Sequence, residues 1–116
     1  MDLTKYHFAF NAMAYFDLQE KYGDGWEDII YENNKKGVEK LCSVLQVLSE
    51  QGELMRRALG YDPEETFKAE DGIKLFRPKD LLLARTIILS AVETGMSTSD
   101  EEEVDVTLVE LKKKTP

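Results

Sequence analysis

The sequence predicts a mainly α-helical protein: a compact bundle of about four helices, with a short extended N-terminal arm and a flexible acidic C-terminal tail. Three observations predict it. Apolar residues recur at three- and four-residue spacing, above all Val38, Leu41, Cys42, Leu45, Leu48 and Met55. Glycines and prolines such as Gly23, Gly25, Gly60, Pro78 and Gly95 fall where those periods end or begin. Alternating patterns, the mark of strands, occur only near the two termini.

Taken in order, Tyr6, Phe8 and Phe10 alternate with other residues, which suits a short strand or extended arm. Asn11 is a suitable N-cap for a helix to about Tyr22, on which Tyr15, Leu18 and Tyr22 share a face with Ala12 and Phe16 beside them. Gly23-Asp24-Gly25 ends it. A short helix from Trp26 to about Tyr31 carries Trp26, Ile29 and Ile30. The clearest helix runs from about Lys36 to Leu59 and stops at Gly60, with Gly52 a candidate break inside it. Residues 61–77 sustain no period and read as a loop, with one helical turn expected around Glu64 to Lys68. The last helix starts at Pro78, a residue favoured at the first helical position, and is expected to end at Gly95. Its apolar residues cover all but a narrow stripe of Lys79, Thr86, Ser90 and Glu93, so it is either central in the fold or partly covered by another chain. A helical domain is thus expected over 1–96. Over 97–116 the acidic run, a short Val104-to-Leu108 strand and three closing lysines form a tail.

Composition narrows the function. A chain of 116 residues, 42% hydrophobic and 33% charged, fits one soluble domain. The net charge of −8 argues against nucleic acid and against anionic membrane surfaces as partners. Cys42, the one cysteine, has no internal disulfide partner, and Met1-Asp2 opens no signal peptide. The most apolar run, Leu81 to Val92, is interrupted by Arg85 and is shorter than the roughly 20 residues a membrane span needs. A cytoplasmic location is expected.

No catalytic, metal or cofactor site is predicted. His7 lies among aromatics, Cys42 on an apolar helix face, and neither has a partner of the usual zinc types. Loops beginning at Asp24 or Asp62 fail the calcium pattern, with Ile29 or Phe67 where glycine is required. Glu27-Asp28 and Glu64-Glu65 are adjacent pairs that diverge on a helix and suit capping better than acid–base work. What remains is surface for binding protein. Trp26 fits either a core or an interface anchor. Leu82 and Leu83 flank the polar stripe, and with Ile87 and Trp26 they are the candidate partner-binding residues.

The order of these elements resembles a known family. A Tyr6-x-Phe8-x-Phe10 arm leads into a helix ending Glu20-Lys21-Tyr22-Gly23, then a short helix, a long amphipathic helix, an irregular acidic segment and a helix closing Thr94-Gly95-Met96. Over about residues 5–96 this pattern is similar to the siphophage tail assembly chaperones and the related tail proteins of gene transfer agents. The resemblance implies a non-catalytic protein that binds the helical tape measure protein, with the tail tube protein as a further partner and self-association expected. In such families a ribosomal frameshift commonly makes a longer second product, and Lys112-Lys113-Lys114 suits the translation of an A-rich slippery site as well as a solvated lysine run. Alternatives are a head–tail connector or other tail component of a phage or prophage, and a bacterial helical protein-binding adaptor.

Overall fold

Two asparagines start helices in the way their short acceptor side chains favour. Asn11 Oδ1 accepts the Ala14 N–H at 2.9 Å and opens α1 (Ala12–Tyr22). Asn34 Oδ1 accepts the Gly37 N–H at 2.7 Å and opens α2 (Lys35–Ala58). Gly23 and Gly60 close these helices with positive φ of 86° and 97°, a conformation that only glycine adopts without strain. A short α3 (Ala69–Leu75) and α4 (Pro78–Met96) complete the set, and Asp80 caps α4 by accepting the Arg77 N–H at 2.8 Å. Two 3₁₀ segments, Leu3–Lys5 and Trp26–Tyr31, complete the helical elements.

The computed structural model describes residues 1–97. Among them the chain is mainly helical, as predicted, and has no strand, so the Tyr6–Phe10 segment, read as a strand or an extended arm, is an arm. The predicted tail beyond Ser97, with its Val104-to-Leu108 strand and closing lysines, lies outside the described residues.

The core is built around α2. It buries Leu41, Cys42 and Leu45 on the predicted face, and also Val44 and Val47, so it is enclosed on most sides. The other three α-helices and the Trp26–Tyr31 segment all pack against it. The sequence left the central position open to the last helix, whose apolar arc is the widest. The structure gives it to α2, and α4 lies to one side.

Gly52 does not break α2. The N-terminal arm crosses the helix there so closely that a Cβ on Gly52 would collide with the His7 carbonyl. The Ala9 N–H donates to the Leu48 carbonyl oxygen at 3.0 Å, and Asn11 Nδ2 donates to Gln51 Oε1 at 3.0 Å. Gly95 likewise does not end α4, which continues to Met96. A Cβ at Gly95 would collide with the Phe10 carbonyl, so both glycines make room for the arm.

Residues 61–68, predicted as a loop with a helical turn, are an extended strap laid antiparallel along α2, and the helical turn comes later, as α3. The strap is held by side chains spaced along one face of α2. Glu53 Oε2 accepts the Glu64 N–H at 2.6 Å, Ser49 Oγ accepts the Phe67 N–H at 2.8 Å, and Gln46 Oε1 accepts the Ala69 N–H at 2.7 Å. These bonds satisfy amides that a helix at 64–68 would have turned elsewhere, which is why the strap stays extended. Phe67 then fills the core between Tyr6, Phe8 and Phe76, with ring centroids 5.7, 6.5 and 5.9 Å away.

Glu53 is the charged member of this ladder and is only 3% exposed. The Glu64 N–H, and after it the Arg57 and Arg56 guanidiniums, hold its carboxyl at about 2, against the upward push of burial. A folded-state value below the unfolded one means that this carboxylate stabilises the fold above about pH 4.5, and that the contribution fades as pH falls towards 2. Glu53→Gln is therefore expected to lower the melting temperature at pH 7, with the gap from native narrowing between pH 4.5 and 2. Circular-dichroism melts across that range check it; a gap unchanged down to pH 2 would refute the ionic role.

Candidate functional site

α4 separates into two sides because its sequence is apolar over more of its circumference than one packed face needs. The inner side buries Ala84 and Ile88 completely and half-buries Leu81, Ile87, Ala91 and Val92 against the core. Arg85, the charge within this apolar run, is half-buried and has a structural task. Its Nε donates to the Ile30 carbonyl oxygen at 2.7 Å and an Nη to Asn33 Oδ1 at 3.1 Å, fastening the end of the Trp26–Tyr31 helix to α4.

The outer side presents Lys79, Leu82, Leu83, Thr86, Leu89, Ser90 and Glu93 to solvent. Leu82, Leu83 and Leu89 are 65%, 41% and 43% exposed. A lone exposed leucine needs no explanation, but three on one side of one helix form an apolar patch. Thr86 lies between them, and its hydroxyl donates to the Leu82 carbonyl oxygen at 3.0 Å. That hydroxyl is satisfied inside the helix, so covering the patch leaves no orphan donor at its centre.

The predicted binding residues therefore divide. Leu82 and Leu83 lie together on the outer side, and Ile87 sits at its margin, half-buried against the core. Trp26 belongs elsewhere: it is 2% exposed, with its ring centroid 5.5 Å from that of Phe10. The interface-anchor reading of Trp26 is corrected, because the 3₁₀ turn after Gly25 buries Trp26, Ile29 and Ile30 in the core. Leu89 is the residue that sequence reasoning missed. Its seven-residue spacing from Leu82 was the available signal, hidden because the apolar arc seemed to place it with the core.

The rest of the molecule offers little chemistry. Burial pushes the Cys42 thiol up to about 11, so it stays protonated at neutral pH. His7 Nε2 lies 3.1 Å from Glu64 Oε1, and both side chains are about half exposed, which makes a surface contact rather than a catalytic pair. A cavity of about 300 Å³ beside the strap is lined by Glu50, Gln51, Leu54, Arg57 and Thr66, with the Glu53 carboxylate already engaged by the strap and its arginines. Among the described residues no three His, Cys, Asp or Glu side chains are placed to hold a metal ion. No described helix is long and apolar enough to cross a membrane.

No protein-family model, curated protein or solved structure matches this chain.

Proposed function

We propose that this chain is a non-catalytic tail assembly chaperone of a siphophage or prophage. In this reading it binds the tape measure protein, keeps it soluble during tail morphogenesis and presents it to the tail tube protein. It acts in the host cytoplasm and is absent from the finished virion. The observation that carries the reading is the Leu82–Leu83–Leu89 patch, exposed on a helix whose other side anchors it to the core. A rigid apolar strip of this kind suits the apolar stripe of a long client helix. The net charge of −8 keeps a many-copy complex dispersed. Further support comes from the two ends of the pattern on which the resemblance rests: the aromatic arm and the Thr94-Gly95-Met96 step meet at Phe10 and Gly95.

The double change Leu82→Asp/Leu83→Asp tests the site. It is expected to leave helicity intact and to cost about 1 kcal/mol of stability from helix propensity. Co-expressed with the tape measure protein, the native chain should hold that client in the soluble fraction and the double variant should leave it in the pellet. A variant that still solubilises the client would remove α4 from the mechanism. Sequencing the DNA over codons 108–116 and downstream adds a separate check. The reading expects a slippery heptamer at the lysine codons, followed by a very long helical gene.

A further inference from the structure

Outward from Thr86, the exposed positions of α4 fall in pairs: Leu83 with Leu89, Leu82 with Ser90, and Lys79 with Glu93. The even spacing is what any exposed helical face gives; the chemistry at the paired positions is not. Lay two copies of α4 antiparallel about a two-fold axis over Thr86, and each of these residues meets its mate on the other chain. Lys79 then stands opposite Glu93 at both ends, Leu83 opposite Leu89 inside them, and Thr86 opposite Thr86 on the axis. No like charges face each other. An isologous interface requires this kind of self-complementarity.

We propose that the outer side of α4 is a dimer interface between two copies of this chain, and that dimerisation regulates the client-binding face by covering it. The regulatory half rests on the function proposed above; the interface itself does not. Lys79 and Glu93 both lack an ion-pair partner among the described residues, so each is free to make one across the axis. The Thr86 hydroxyl is already bonded to Leu82 and tolerates burial on the axis. Each chain carries −8 overall, which sets two copies against each other, but this strip is locally balanced by its one lysine and one glutamate. A single helix pair lies at the small end of interface size, below about 1,200 Å². The dimer is correspondingly weak, and a longer client helix displaces the second copy.

The test is sedimentation velocity of the full chain over a concentration series. The native protein is expected to show a monomer–dimer equilibrium. Lys79→Glu and Glu93→Lys each place like charges together twice per dimer, and each should weaken association about tenfold. The combined K79E/E93K variant restores opposite charges and should return association close to native. An acid near the N-terminus of α4 and a base near its C-terminus both suit the helix dipole, so the single variants should melt as the native protein does. That comparison separates lost pairing from lost fold. A native chain monomeric at every concentration, a dimer indifferent to the single swaps, or a double swap that fails to recover would each overturn the interface. Client solubility is read separately. A dimer that behaves as described while the tape measure protein precipitates would defeat the functional reading alone; a soluble client without any dimer would defeat the interface alone.

Discussion

Gly52→Ala is expected to destabilise the protein by about 2–3 kcal/mol, although glycine-to-alanine in an ordinary helix interior gains about 1 kcal/mol. The sign reverses because of what lies against the helix. A Cβ at Gly52 would collide with the His7 carbonyl oxygen and stand 2.7 Å from the His7 carbonyl carbon and 3.2 Å from the Phe8 nitrogen. These are backbone atoms and have no rotamer by which to move aside. The arm must lift, and lifting it breaks the bond from the Ala9 N–H to the Leu48 carbonyl and draws Tyr6 and Phe8 away from Phe67. For a domain of this size the loss corresponds to a fall in melting temperature of about 10–20 °C. Trp26 emission should shift to the red as well, because Phe10 at the end of the arm packs on that indole. Gly95→Ala presses on the same arm from the other side, against Phe10, with a smaller loss expected because the last turn of α4 is free to fray. A Gly52→Ala protein melting at or above the native temperature would show that the arm is not seated against α2.

The contrast between what this sequence discloses and what it conceals follows from the range of each interaction. Caps and stops are local chemistry, so Asn11, Gly23, Gly60 and Pro78 could be read directly and the helices they bound stand within a residue or two of expectation. The roles of Gly52 and Gly95 depend on a segment more than forty residues away in the chain, and a glycine inside a period reads as a weak point until its neighbour is known. The strap was illegible for a related reason. Gln46, Ser49 and Glu53 look like solvent-facing polar residues on an amphipathic helix, and only the fold shows that their acceptors replace the hydrogen bonds the strap amides lack. At the candidate site, Leu82 and Leu83 could be read because they border the polar stripe. Leu89 could not, because α4 carries more apolar residues than its buried side accommodates, and periodicity alone does not say which are left over.

Trp26→Ala is the second change expected to have a large effect, and it separates two readings that the sequence left open. Trp26 heads the fully buried side chains by volume, packed among Phe10, Ile29, Ile30 and α2. Its removal takes away an indole and leaves a cavity that the short 3₁₀ helix around it is poorly placed to close. Truncations of this kind cost about 3–5 kcal/mol. That is a large share of the 5–15 kcal/mol by which domains are stable, so the variant should be partly unfolded at moderate temperature in circular dichroism. Trp26→Phe keeps an aromatic ring against Phe10 and should recover much of the loss. An interface anchor would behave in the opposite way: alanine would leave the melt unchanged and weaken only the binding of a partner. The same comparison applied to Leu82 and Leu83 should give the reverse result, a nearly native melt with binding lost. The pair of experiments therefore separates the stability expected of the core around α2 from the recognition proposed for the outer side of α4.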